Sequence, residues 1–312
     1  MLQKTCFIIL GPTAVGKTAL AIDIAKHFQT EIISADSRQC FRELNIGVAK
    51  PSDEELKSVK HHFINSHSIH DEVNAAIFEK LALTWCEEIF TKKDVVVMSG
   101  GTGLYIRAFC EGLDAIPVVS ADVRSDIIDS FKKHGIEWLQ AKVKEADPEF
   151  YETGEIQNPQ RLMRALEVRI STGESILSYR SSVPANRGFN IVKIGLDIPR
   201  PLLYDRINKR VDTMMDDGLL NEATALFPFR SLSSLQTVGY TELFEFLEGK
   251  ISLETAVELI KQHTRNYSKR QLTWFRKDAD VNWFSPTYFD EIVRFCESML
   301  KGNQDTTVNT HS

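Results

Sequence analysis

Cysteine is scarce and scattered in this chain. Its 312 residues hold five, Cys6, Cys40, Cys86, Cys110 and Cys296, with no C-x-x-C pair among them. That odd, dispersed set supports neither a disulfide framework nor a zinc ribbon, and it fits reduced thiols in a cytoplasmic protein. No apolar run approaches ~20 residues, so no membrane-spanning helix is expected. The first apolar strand begins almost at the N-terminus, which leaves no room for a signal peptide. A basic surplus is also missing. Lys and Arg number 37 against 43 Asp and Glu, for a net charge of −6. Nucleic-acid binding therefore has to rest on a local patch rather than on bulk charge. No internal repeat and no low-complexity tract precede the polar tail. What remains is ordinary for a globular chain of one large or two modest domains: 43% of residues are hydrophobic, enough for a sizeable core.

The strongest positive signal is Gly11-Pro12-Thr13-Ala14-Val15-Gly16-Lys17-Thr18. It satisfies G-x-x-x-x-G-K-[ST] at every fixed position. The apolar run Cys6–Leu10 before it predicts a buried strand, and Ala19–Ala25 after it predicts a helix, which is the context this loop requires. The glycines let successive backbone N–H groups converge on an anion. The helix start adds the positive end of its dipole. Lys17 supplies a mobile point charge, and the Thr18 hydroxyl can ligate Mg²⁺. These residues predict a polyphosphate site.

A second buried strand is predicted at Ile32-Ile33, with Asp36 just past its end. Ligands of open α/β sheets sit beyond the carboxyl ends of strands, so Asp36 is expected to face the phosphate loop. The alternative is a turn or helix-cap aspartate. Residues 47–72 look like an irregular connection carrying His61, His62, His67 and His70, whose spacing matches no common zinc pattern. A helix is expected over 77–90, with Leu81, Trp85 and Ile89 on one face. A third buried strand, 94–98, runs into Ser99-Gly100-Gly101-Thr102-Gly103. An ordinary phosphate-loop hydrolase places a Mg²⁺-orienting aspartate there. Its absence weakens a hydrolase reading, and the Gly-Gly-Thr turn suggests space for a bulky group to approach.

Residues 114–190 change character to charge-rich helices, at Ala121–Lys133, Ile136–Glu145 and Pro159–Ser171. Asn158-Pro159 opens the last one well. On it Arg161 and Arg164 share a face, while Leu162, Leu166 and Ile170 are expected to pack inward. A fourth strand, 191–196, leads to a helix from about Arg200 with Leu203, Ile207 and Val211 inward. Arg206 and Arg210 lie on another face of it, where they could neutralise a phosphate or form surface ion pairs. From Lys261 to Lys277 there are six Lys or Arg and no acid. Lys261, Arg265, Lys269 and Arg276 fall roughly on one helical face, interleaved with Tyr267, Trp274 and Phe275. That composition suits a nucleic-acid backbone and unstacked bases, although a solvated face would look similar. The fold class predicted is α/β: a P-loop NTPase-like parallel sheet flanked by helices, with a helical insertion domain. The core is expected over 1–113 and 191–301, the insertion over 114–190, and a disordered tail over 302–312.

Taken together the residues resemble a known family, the tRNA dimethylallyltransferases (tRNA isopentenyltransferases). The likeness rests on Gly11–Thr18, Asp36-Ser37, Ile46-Gly47-x-Ala49-Lys50-Pro51, Gly100-Gly101-Thr102-x-x-Tyr105, Pro159–Leu162 with Arg164–Glu167, Val238-Gly239-Tyr240, and Lys269-Arg270-Gln271-x-Thr273-Trp274-Phe275-Arg276. It covers roughly residues 5–285. The resemblance implies transfer of a dimethylallyl group from dimethylallyl diphosphate to the N6 amine of adenosine 37, beside the tRNA anticodon. It implies Asp36 as general base, with Lys17, Thr18, Mg²⁺ and Arg210 on the diphosphate; the spacing of Arg206 and Arg210 favours Arg210. It also implies RNA contacts from Asp36, Ser37, Arg38, Gln39, Thr102, Arg124, Gln160, Arg161, Leu162, Met163 and Arg164. The helix carrying Lys269, Arg270 and Arg276 would hold the anticodon stem-loop, and the insertion would close over it. A cytoplasmic monomer is expected. Arg38, Gln39 and Cys40 depart from the small or aliphatic residues common after Asp-Ser. No zinc-finger extension follows the core, as in compact bacterial forms. The competing readings are an adenylate isopentenyltransferase acting on a small molecule, a nucleotide or metabolite kinase, and a non-catalytic RNA-binding module.

Overall fold

The computed structural model describes residues 3–180 and 183–301. The tail expected from Gly302 lies outside them. In chain order the elements are β1 (Thr5–Leu10), α1 (Lys17–His27), β2 (Ile32–Ser34), α2 (Asp53–Ser58), β3 (His61–His62), α3 (Ala75–Phe90), β4 (Val95–Gly100), α4 (Gly103–Glu111), α5 (Ala121–Ala146), α6 (Pro148–Thr153) and α7 (Pro159–Thr172). They continue with β5 (Asn190–Leu196), α8 (Arg200–Asp216), α9 (Leu219–Leu226), α10 (Tyr240–Leu247), α11 (Leu253–Phe275), β6 (Val281–Phe284) and α12 (Phe289–Lys301). No helix among the described residues is long and apolar enough to cross a membrane.

The strands form one sheet in the order β3-β2-β4-β1-β5-β6, and every pairing is parallel. β1 and β4 are buried on both faces, so they read as continuous apolar runs rather than as alternation. Successive side chains still point to opposite sides. Cys6, Ile8 and Leu10 join one core with Ile33, Val96 and Met98, under α3, α4, α10 and α11. Phe7 and Ile9 join the other with Val95, Val97, Ile194 and Leu196, under α1, α8 and α12. β1 is central, and the chain leaves it first toward β2 and later toward β5. The crevice at its carboxyl end is the place where such sheets bind ligands.

The chain divides into two compact units, Met1–Cys110 with Asn186–Ser312, and Glu111–Ala185. The second unit thus differs by a few residues from the expected 114–190. Its C-terminal limit is set by Arg187, which donates to the carbonyls of Phe109 at 2.7 Å and Ala108 at 2.6 Å and pairs with Glu79 at 2.7 Å. The second unit has its own core, built from Ile127, Leu139, Val143, Phe150, Leu162, Met163 and Leu166. α5 breaks at Gly135, whose φ is 76° and ψ −169°. That break separates the two helices expected there.

Three expectations are corrected. The 47–72 segment is not wholly irregular: Ser52 caps α2 through a capping box with Glu55, and β3 forms the sheet edge. On α3 the buried stripe is Phe78, Ala82, Cys86 and Ile89, with Leu81 and Trp85 at its margin. On α7, Ile170 is 55% exposed.

Gly100 closes the β2–β4 seam. A Cβ there would lie 2.2 Å from the Ala35 carbonyl oxygen. Gly100→Ala is expected to destabilise the protein by about 1–3 kcal/mol through overpacking. Chemical denaturation would show this as a lower midpoint at unchanged slope.

Candidate active site at the carboxyl end of the sheet

The loop between β1 and α1 needs glycine at both ends. Gly11 has φ 146°, and its Cβ would lie 2.7 Å from the Leu196 carbonyl oxygen. Gly16 has φ 111° and starts α1 without any side-chain cap. The first N–H groups of α1 therefore face the crevice with their dipole unsatisfied by protein.

A cavity of about 390 Å³ opens over this loop, lined by Thr13, Lys17, Thr18, Asp36, Arg206 and Arg210 among others. Lys17 Nζ donates to the Pro12 carbonyl at 2.7 Å. Burial pulls the Lys17 ammonium down to about 7, with nearby Asp36 opposing the shift and Arg210 reinforcing it. Burial also lowers Arg210 from its ordinary value, again opposed by Asp36. Arg210 donates to Thr13 Oγ1 and to the Ala49 carbonyl, both at 3.4 Å, and Arg206 to the Val15 carbonyl at 3.3 Å. Both arginines thus reach the loop. Of the two, Arg210 also lines a second cavity, of about 230 Å³.

Asp36 acts as a turn residue and as a cavity wall at once. Its Oδ1 accepts from the N–H groups of Arg38 at 2.8 Å and Gln39 at 3.3 Å. Among the described residues no donor reaches its other oxygen. Thr13, Ala14, Asp36, Val48 and Arg210 line both cavities. The second is more apolar, with Ile207, Val211, Met214, Leu219 and Val238, and Tyr267, Ser37 and Arg38 also border it. Burial pushes the Tyr267 hydroxyl up to about 12, with the nearby Thr102 side chain opposing the shift. Thr102 Oγ1 in turn accepts from Ser37 N–H at 3.1 Å.

Two glycines of the Gly-Gly-Thr turn serve a different purpose from the one expected. The space beside Gly100 is filled by Ala35, and a Cβ on Gly101 would meet Gln271 Nε2 at 2.3 Å. Both admit the protein's own atoms, and Gly100 also borders the phosphate cavity. Gln271 is the residue that sequence reasoning missed. Its Oε1 accepts from Thr13 N–H and its Nε2 donates to the Gly101 carbonyl, each at 2.8 Å. It ties α11 to the phosphate loop and to β4. The only signal for it was its place inside Lys269-Arg270-Gln271-x-Thr273-Trp274.

The basic face of α11 is partly consumed inside the fold. Lys261 pairs with Asp212 at 2.7 Å, Arg265 donates to Asn208 at 2.6 Å, and Arg276 pairs with Asp197 at 2.6 Å. Lys269 and Arg270 are exposed, and Arg270 lies over the Tyr267 ring. Arg124, Gln160, Arg161 and Arg164 belong to the second unit. There the buried Glu167 pairs with Arg164 at 3.3 Å and lies 3.9 Å from Arg124. Leu162 and Met163, also expected to contact RNA, turn their side chains into that unit's core. The four histidines are dispersed. His61 bonds the Val59 carbonyl, His62 pairs with Glu31, His67 with Ser66, and His70 packs edge-on against Phe229.

The chemistry of the donor set fits Mg²⁺. Thr18 offers a hydroxyl in the phosphate cavity that no described protein group engages, with the Asp36 carboxylate lining the same space. Mg²⁺ is commonly held by one or two protein oxygens plus phosphates.

The family model described as IPP transferase matches residues 39–278. The chain belongs to the IPP transferase family. The tRNA dimethylallyltransferase of Christiangramia forsetii is 50% identical over 283 residues, covering 91% of this chain and 93% of its own. That of Flavobacterium johnsoniae is 45% identical over 308 residues, covering 96% and 100%. Among solved structures, the tRNA isopentenylpyrophosphate transferase of Bacillus halodurans is 35% identical with a TM-score of 0.72, covering 97% of this chain and 99% of that one. A eukaryotic dimethylallyltransferase shares the fold at 22% identity and a TM-score of 0.78, covering 96% of this chain and 80% of its own. The family match and the phosphate cavity agree on a prenyl transferase.

The depressed Lys17 yields a prediction. An anion beside it restores the ammonium, so binding of inorganic diphosphate at pH 8 should take up about one proton. Uptake should fade below pH 6, where Lys17 is already charged. Calorimetry in buffers of different ionisation enthalpy measures it, and Lys17→Arg should abolish it.

Proposed function

We propose that this protein transfers the dimethylallyl group of dimethylallyl diphosphate to the exocyclic N6 amine of adenosine 37 in tRNA, releasing diphosphate. It would work as a cytoplasmic monomer. One observation carries the reading beyond the family: Asp36 and Arg210 stand on the wall shared by a polar, cation-lined cavity and an apolar one. A diphosphate fits the first. The second has the lining for a five-carbon chain and a flat base. A bond breaking between the two would place its departing charge beside Arg210 and the incoming amine beside Asp36.

The barrier is largely charge separation, because the allylic carbon becomes cation-like as diphosphate leaves. Lys17, Arg210 and the loop N–H groups are oriented on the leaving group before reaction, and one such preorganised donor contributes about 3–4 kcal/mol. Thr18 would hold Mg²⁺, which supplies further neutralisation of the diphosphate. The adenine amine is a poor nucleophile because its lone pair feeds the ring. Asp36 would accept its hydrogen bond and then its proton. The turn bonds on Oδ1 fix the carboxylate for that task. An adenosine in a loop is cheaper to unstack than one in a duplex. Ser37, Arg38 and Gln39 on the cavity walls, Thr102 behind Ser37, Lys269 and Arg270 on α11 with Arg276 at its end, and Arg124, Gln160, Arg161 and Arg164 in the second unit are the proposed RNA contacts.

The test is a product assay with Mg²⁺, dimethylallyl diphosphate, and unmodified tRNA whose anticodon is followed by adenosines. AMP serves as a parallel acceptor and ATP as a parallel donor. Mass spectrometry of digested RNA should find adenosine carrying one five-carbon unit, with AMP untouched. Prenylated AMP alone would move the reading to a small-molecule acceptor. Loss of ATP γ-phosphate without prenylation would make the protein a kinase.

A further inference from the structure

Glu222 lies on α9 and lines neither cavity. Its Oε2 accepts from the N–H groups of Asn45 at 3.0 Å and Ile46 at 2.9 Å. Its Oε1 accepts from Gly47 N–H at 3.0 Å and from the Tyr240 hydroxyl at 2.6 Å. Four donors thus converge on one carboxylate, three of them successive backbone amides. Tyr240 is fully buried and stands at the start of α10, where the Gly239 N–H donates to Glu242 at 2.8 Å. Its ring occupies the place of a Gly47 side chain, since a Cβ there would come within 2.6 Å of it.

Glu222 and Tyr240 line neither cavity, and they pin residues 45–47, the last of which borders the apolar cavity. Val48 and Ala49 line the apolar cavity, and the Ala49 carbonyl accepts from Gln39 at 3.1 Å and from Arg210 at 3.4 Å. Ala49 itself sits at φ 48°, in the left-handed region, so its carbonyl direction depends on what holds the strap on either side. Hydrogen bonds to a charged group are stronger than neutral ones, so the strap has two strong holds: Glu222 before Ala49, and after it the Lys50 ammonium, which donates to the Phe41 carbonyl at 2.6 Å and to Asn45 Oδ1 at 3.2 Å.

We propose that Glu222 is a positioning residue: by gathering the Asn45–Gly47 amides it aims the Ala49 carbonyl, and through it places Arg210 against the diphosphate cavity. The inference rests on reading Arg210 as a diphosphate ligand. Glu222→Gln keeps the shape but turns an amide group toward donors, leaving N–H groups without an acceptor.

The test is a double-mutant cycle with Arg210→Gln, read by calorimetric affinity for inorganic diphosphate and by single-turnover transfer to tRNA. With Arg210 present, Glu222→Gln should lower the transfer rate about 10- to 100-fold, as small misplacements of a positioned group do. Diphosphate affinity should fall while tRNA affinity holds. With Arg210→Gln in place, Glu222→Gln should lower neither quantity further, the non-additivity expected of residues acting in one chain. Tyr240→Phe, which leaves the carboxylate and three of its donors, should give the same pattern at smaller amplitude and serves if Glu222→Gln does not fold. Equal losses in both Arg210 backgrounds, or no loss in either, would overturn the proposal. The diphosphate readout stands even if no prenyl transfer is found, so failure of the inference is separable from failure of the proposed reaction.

Discussion

Lys17, Arg206 and Arg210 converge on one small cavity whose lining holds two carboxylates, Asp36 and Glu55. The start of α1 adds its own positive end. Positive charge gathered at this density, partly out of water, costs free energy until an anion arrives. Lys17 shows the strain by losing affinity for its proton. The site is thus shaped around a polyanion, and much of the surrounding architecture holds the cations where they would otherwise repel. Gly11 and Gly16 bend the loop, the β1–β4 and β1–β5 ladders fix its base, and α8 carries both arginines alongside its buried Leu203 and Ile207.

The same constraint explains why elements distant in sequence meet here. Gln271 on α11 holds the loop at Thr13 and the β4 end at Gly101 through one side chain. The 45–50 strap holds Arg210 and is itself held by Glu222. Asp36 keeps its direction by capping its own turn. Each of these hydrogen bonds is modest alone, about 1 kcal/mol. Together they leave the cations and the carboxylate few alternative positions. Such preorganisation is what lets a charge-separating reaction proceed without rearranging its surroundings. Placing the departing diphosphate and the incoming amine on opposite sides of the Asp36–Arg210 wall follows from the two cavities rather than from any single residue.

Much of this was legible in the sequence, and the gaps have physical causes. The phosphate loop, the central strands and the inward stripe Leu203-Ile207-Val211 were visible because each is local and periodic. Asp36 was visible because it ends a strand. β3 has two residues and β6 has four, too few for periodicity to show, and pairing with longer neighbours decides them. The role of Gln271 was hidden because a glutamine on a helix carries no sign of bonds to residues 170 and 258 positions away. Gly100 and Gly101 looked like room for a ligand, whereas Ala35 and Gln271 fill the space, a distinction only packing reveals. The basic run on α11 overstated its free charge, since Asp212, Asn208 and Asp197 lie on other segments.

The central claim is that Asp36 receives the proton of the adenine amine while the opposite cavity takes the diphosphate. The most direct measurement is the single-turnover rate of Asp36→Asn with saturating dimethylallyl diphosphate and tRNA, alongside both binding affinities. The account predicts a fall in rate of about 10²- to 10⁴-fold, the range of a positioned general base, with both affinities largely intact. A near-normal rate would contradict it and remove Asp36 from the chemistry.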